Sequence, residues 1–499
     1  MSNPSLPPSS PLHLLHLIKE KYVTDKWYTL ASSDKEASDS SSDEETSGEM
    51  IIISRSAKCS VLSHRWRYFW TTLPILNINA QIFCDLLKKK VNWRWKECLF
   101  VEYVDQVLLL HRMSSIERFH LCYNGCCCDV ATLRFYSWIR ALVRRNVQEL
   151  DIDISTSRLP PLPLCLFTCE SLTVLKLNFG CWQYPLVLPD LISLPALKTL
   201  HLKSIRFKND NLTSNFLSSC PVLELLIIMH SELAGMNNLT IYCSELKHLV
   251  IETYSYDGEH DEPVHCKIKI YAPKLVSFRC KDYMGKDYSF ESLPSLVNVD
   301  IDMEVESLYK YKRDDGIEFP AEEYVERIIR YLREIRHLKS LTLGAWFLQI
   351  ISKPPAALES LSMQFLSLRY IKLKTWLSGD CIRAMKSLLN MSPNVETLTV
   401  EVNKEMPIIN SSKIEEYQDT GSPLQTMHHL KVIKIQGILG SINGLKLLEI
   451  LLKNAVVLKK ILVLTPKEQS PNSLRRLIKL SDEVVELPRA SSSIAVLFL

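Results

Sequence analysis

Residues 194–207 read LPALKTLHLKSIRF and place Leu197, Leu200 and Leu202 in the order apolar-x-x-apolar-x-apolar. In a strand, Leu200 and Leu202 turn to one side and His201 to the other. The same hexapeptide recurs upstream as Ile116/Phe119/Leu121, Val147/Leu150/Ile152 and Leu172/Leu175/Leu177. Downstream it recurs as Leu223/Leu226/Ile228, Leu246/Leu249/Ile251, Leu275/Phe278/Cys280, Leu296/Val299/Ile301 and Leu338/Leu341/Leu343. The last copies are Leu368/Ile371/Leu373, Val395/Leu398/Val400, Leu430/Ile433/Ile435 and Leu458/Ile461/Val463. Successive starts lie 21 to 42 residues apart, most of them close to the leucine-rich-repeat period of ~20–29 residues. One repeat cannot bury its apolar row alone, so neighbours must stack. The expected fold is α/β: a leucine-rich-repeat solenoid, with a curved parallel sheet and with helices and loops on its convex side.

The segments between copies fit this scheme. Residues 321–336 place Tyr324, Val325, Ile328, Ile329, Leu332 and Ile335 at helical spacing. Residues 380–391 and 442–454 carry similar patterns. In the short repeats, proline-containing segments such as LSSCPVL (217–223) are expected to replace a full helix.

Alternation also predicts the concave face. Between the last two apolar positions stand His120, Asp151, Lys176, His201, Ile227, Val250, Arg279, Asp300, Thr342, Lys372, Thr399 and Lys434. The charged members Asp151, Lys176, His201, Arg279, Asp300, Lys372 and Lys434 are the candidates for binding a target protein. Their mixed signs suit protein recognition better than a polyanion track.

The composition agrees. The chain has 499 residues, 77 of them leucine, with Lys+Arg 59 against Asp+Glu 56, so no strong field draws nucleic acid. No apolar run approaches the ~18 residues that span a bilayer, and no membrane partner is expected. The fifteen cysteines are scattered, many at leucine-like positions such as Cys220, Cys243 and Cys280. This reads as reduced, partly buried thiols in an intracellular compartment, cytoplasmic or nuclear. The N-terminus carries no signal-peptide pattern.

Other chemistry is weak. His120, Cys122 and Cys126–Cys128 lack paired C-x-x-C knuckles, so no metal is expected. The segment KKKVNWRWK (88–96) interleaves basic and aromatic residues but reads as an exposed linker. Arg140, Arg144 and Arg145 read as the wet side of a helix whose apolar side holds Trp138, Ile139 and Leu142. No nucleophile-elbow or phosphate-loop motif is present, so neither an enzyme nor a cofactor is expected.

AKCSVLSHRWRYFW (57–70) resembles the second half of a plant F-box, matching at Ser60, Val61, Leu62, Ser63, Arg65, Trp66, Arg67 and Trp70. SWIRALVRRNVQELDIDI (137–154), LPLCLFTCESLTVLKL (162–177), LPALKTLHLKSIRF (194–207) and LSSCPVLELLII (217–228) resemble the repeats of plant F-box/leucine-rich-repeat/FBD proteins. Residues 430–464 and the tail ELPRASSSIAVLFL (486–499) resemble the FBD module. The upstream half of an F-box, with its Leu-Pro pair, is absent; an acidic serine tract (32–49) stands there instead.

The resemblance implies a substrate-recognition subunit of a cullin-based ubiquitin ligase of the SCF type. Val61, Leu62, Arg65, Trp66 and Trp70 would meet a Skp-type adaptor and, through it, the cullin complex. The repeats would hold a target protein. The alternative is a binding module that has lost adaptor docking with half its F-box. The expected organisation is a disordered segment (1–50), a partial F-box and linker (51–95), the repeats (96–408) and an FBD module continuing them (421–499), with an exposed acidic junction near 409–422.

Overall fold

In the computed structural model the described residues run from 69 to 498. Excepted are 87–92, 125–128, 156–161, 181–184, 234, 254–264, 292, 306–320, 353–362, 404–422, 439–441, 465–470 and 492–493. Residues 1–50, the junction at 409–422 and Cys126–Cys128 therefore lie outside them. The chain forms two compact units, residues 1–206 and 207–499.

In the first unit, the 3-10 turn Phe69–Thr72 leads to β1 (Ile75–Asn79), α1 (Ala80–Leu86), α2 (Trp93–Leu110), β2 (Arg118–Asn124) and α3 (Asp129–Val143). Then come β3 (Glu149–Ser155), β4 (Val174–Phe179) and β5 (Thr199–Lys203). The strands pair in chain order, all parallel. Two expectations change here. The sheet begins at β1, ahead of the boundary expected at residue 96. Trp93–Lys96, read as linker, instead open the 18-residue helix α2. Its apolar residues Phe100, Val101, Val104, Val107 and Leu108 recur at helical spacing and are buried. On α3, Trp138, Ile139 and Leu142 are buried and Arg140 is exposed, as the alternation required.

The second unit opens with α4 (Asp210–Ser218), β6 (Leu225–Ser231), β7 (Asn238–Tyr242), β8 (His248–Thr253), β9 (Lys267–Tyr271), β10 (Ser277–Tyr283), β11 (Asp287–Glu291) and β12 (Asn298–Glu304). It continues with α5 (Ala321–Glu334), β13 (Ser340–Leu343), α6 (Ala345–Ile351), β14 (Tyr370–Thr375), α7 (Gly379–Asn390) and β15 (Thr397–Val402). Last are β16 (Val432–Gln436), α8 (Ile442–Asn454), β17 (Lys460–Leu464), α9 (Pro471–Glu486) and β18 (Ala495–Phe498). The main sheet runs β6-β8-β10-β12-β13-β14-β15-β16-β17-β18, and a second parallel sheet runs β11-β9-β7.

All thirteen predicted strands form, and the leading residue of every hexapeptide is at most 6% exposed. The leucine-rich-repeat architecture is thus realised in each unit. Two details differ. LSSCPVL does not replace a helix; it straddles the end of α4, which Asn209 caps by accepting from the Leu212 N–H at 2.9 Å. In three successive repeats, including the two shortest, which start at Leu223 and Leu275, the back of the stack holds strands β7, β9 and β11 rather than loops. A strand gains ~3.3 Å per residue against ~1.5 Å for a helix, so it crosses the same layer with fewer residues.

The cysteines behave as small apolar residues. Burial pushes the thiols of Cys220 and Cys243 up to about 12, so both stay protonated.

One polar cluster interrupts the second core. Asp282, at an inward position of β10, is buried beside Lys286, with Nζ 2.7 Å from Oδ1. Thr253 and Tyr288 hydroxyls also donate to Asp282, and the Tyr283 N–H donates at 2.8 Å. The pair spans the turn where the chain leaves the main sheet for the second sheet. Asp282→Ala leaves a buried ammonium without its carboxylate and should lose about 3–5 kcal/mol in chemical denaturation. Asp282→Leu with Lys286→Met should recover most of that loss.

Candidate protein-interaction face

Parallel, in-register pairing aligns the outward residues into rows. In the first unit, Asn77, His120, Asp151, Lys176 and His201 stand side by side on β1 to β5. Asp151 is the hub: its Oδ2 lies 3.4 Å from His120 Nδ1 and 3.5 Å from Lys176 Nζ. Burial opposes ionisation of Asp151, but His120 and Lys176 outweigh it and hold the carboxyl below its ordinary value. The next row carries Asp153, whose Oδ1 accepts from Asn178 Nδ2 at 2.9 Å. His201 is half-buried, and burial followed by the Lys176 charge lowers its pKa.

The second unit carries a longer row: Ile227, Val250, Arg279, Asp300, Thr342, Lys372, Thr399, Lys434, Leu462 and Leu497. Arg279 Nε lies 3.5 Å from Glu252 Oε1 and 3.6 Å from Asp300 Oδ2. Lys372 Nζ reaches Glu401 at 2.7 Å. Lys374 Nζ reaches Asp302 at 2.6 Å, passing over β13. That reach is open because Gly344 follows β13; a Cβ there would stand 2.9 Å from Asp302 Cα. Burial raises the Asp300 pKa, with Lys374 and Arg279 opposing.

The structure thus brings Asp151, Lys176 and His201 together in one unit and Arg279, Asp300 and Lys372 in the other, with Lys434 further along. Thr399, expected to face out, is 9% exposed. The second outward row of Glu252, Lys281, Asp302, Lys374 and Glu401 was missed; one more step of alternation finds it. Partly exposed ion pairs contribute little to folding, about 0–1 kcal/mol each.

Val61, Leu62, Arg65 and Trp66 lie outside the described residues, and Trp70 falls within the 3-10 turn. That turn is tied to the end of α2: the Arg112 N–H donates to Thr71 O at 2.8 Å, and His111 Nε2 meets Leu73 O at 2.8 Å.

Residues 135–291 match the family described as LRR repeats of FBD-associated F-box protein At5g56370. Of similar proteins from Arabidopsis thaliana, F-box/LRR-repeat protein 13 is 27% identical over 464 residues, 89% of this chain and 91% of that protein. F-box/FBD/LRR-repeat protein At1g51370 is 26% identical, over 89% of this chain and 91% of its own length. F-box/FBD/LRR-repeat protein At5g56420 is 30% identical, over 49% of this chain and 54% of its own. Along most of its length the chain is thus similar to F-box/leucine-rich-repeat/FBD proteins of Arabidopsis thaliana. The outward residues of β3 to β6, β8 and β10 therefore lie in the segment that matches those leucine-rich repeats.

Two outcomes follow from this geometry. Gly344→Ala should destabilise the second unit by about 1–3 kcal/mol, read by chemical denaturation, because the new methyl meets backbone. The second outcome concerns pH. Burial holds the imidazoles of His111 and His201 below their ordinary pKa. Below about 6.5 the unfolded chain binds protons that the folded chain does not. Their stabilisation is full above that pH and should fall as pH drops through it. Thermal midpoints between pH 7.5 and 5.5 should show this, less steeply in His201→Gln.

Proposed function

We propose that this protein receives target proteins for a cullin-based ubiquitin ligase, binding them on the outward rows of its repeats. The observation that supports this most is the alignment of charged residues of both signs into fixed rows, on a chain whose relatives carry F-box names. The reading needs no chemistry from the chain itself. Holding a target near a ubiquitin-charged enzyme raises effective concentration, to the order of mM for short tethers. Such work belongs in the cytoplasm or nucleus.

Residues 57–70 resemble only the second half of an F-box, which favours a second reading: a recognition module without adaptor docking. A standard interface buries ~1,600 Å², so losing half of it removes most of the affinity. Binding of the purified chain to a plant Skp-type adaptor, beside a version carrying a complete F-box, decides between the two. On the ligase reading both bind, and Leu62→Asp or Trp66→Ala weakens the natural chain at least tenfold. Binding only by the completed version assigns the chain to recognition alone.

A further inference from the structure

The outward face of the second unit changes character along its length. From β8 to β15 its charges engage one another: Arg279 with Glu252 and Asp300, Lys374 with Asp302, Lys372 with Glu401. From β16 to β18, among the described residues, this stops. There the outward residues are Val432, Lys434 and Gln436 on β16, Lys460, Leu462 and Leu464 on β17, and Ala495 and Leu497 on β18. The opposite-facing Ile433, Ile435, Ile461 and Val463 are all buried. Leu497 is 45% exposed, and Leu462 and Leu464 are half-buried.

This patch holds two lysines and no carboxylate. The nearest acidic side chains on β15 and just before it are already held, Glu401 by Lys372 and Glu396 by Lys431, each at 2.7 Å. An apolar strip flanked by cations of one sign complements a segment that interleaves apolar and acidic residues. A second copy of the same patch would set lysine against lysine. Three strands ~4.8 Å apart present a strip about 10 Å wide, the reach of a few residues.

We infer that the outward face of β16–β18 docks a short target segment in which apolar residues alternate with Asp or Glu. The inference rests on reading the chain as a target receptor. It makes the FBD-like end of the sheet the apolar anchor and leaves the self-paired charges of β8–β15 to exclude mismatched partners.

The test is panning the full-length chain against a random twelve-residue peptide display library, followed by affinity measurement on the enriched peptides. Enriched sequences should interleave Leu, Ile, Val or Phe with Asp or Glu. Leu497→Asp and, separately, Lys434→Glu should each weaken them at least tenfold, while Lys274→Ala, at an exposed residue outside the outward rows, leaves them unchanged. Both test side chains are surface residues, so the fold should survive; circular dichroism checks this. Enriched peptides that are basic, or indifferent to both substitutions, overturn the inference. If they depend on Arg279→Glu instead, target reception stands and the β16–β18 assignment falls. If no peptide depends on any outward residue, target reception falls with it.

Discussion

No repeat in this chain can bury its own apolar row. Phe119 and Leu121 of β2 are fully covered only because Leu76 and Ile78 of β1 lie on one flank and Leu150 and Ile152 of β3 on the other. A full core leucine contributes ~1.5–3 kcal/mol, and a one-residue slip would expose a whole strand's share at once. Register is therefore fixed from strand to strand. Every outward residue is carried into line by the inward ones, so the outward rows are a by-product of core packing.

The same constraint sorts what varies. The length between strands is taken up behind the sheet, as β7, β9 and β11 in the three repeats that start at Leu223, Leu246 and Leu275, and as helices α5 to α8 in later ones. Asp282 departs from the apolar pattern of the inward positions. A buried carboxylate is tolerated because Lys286, Thr253, Tyr288 and the Tyr283 N–H all converge on it. It stands where one strand of each sheet meets, a junction the leucine pattern does not specify.

Much of this was legible in the leucines. Period and alternation located thirteen strands, the helices α5, α7 and α8 and the side on which Asp151 or Lys372 would stand. They did not reveal β1, although Leu73/Leu76/Ile78 keeps the same frame ahead of the first copy read, or α2, whose opening WRWK looks like a basic linker. Most of the second sheet was hidden because KIKIY and DYSFE alternate like any strand but carry no hexapeptide frame, with His265 and Gly285 at the leading position. Within the site, alternation gave the row but not the partners. That Asp151 lies between His120 and Lys176 depends on strand order, which thirteen equivalent repeats leave open.

Outward residues can change with little effect on folding, since each partly exposed pair contributes so little. A fold of this kind can keep its inner leucines and vary its face freely. The freedom ends where the face draws on the backbone. The Lys374–Asp302 pair spans two strand spacings and exists only because Gly344 leaves the path over β13 clear. There the charge pattern and the chain trace are one feature. A change at Gly344 alters both together, whereas a change at Lys372 or Lys434 alters the pattern alone.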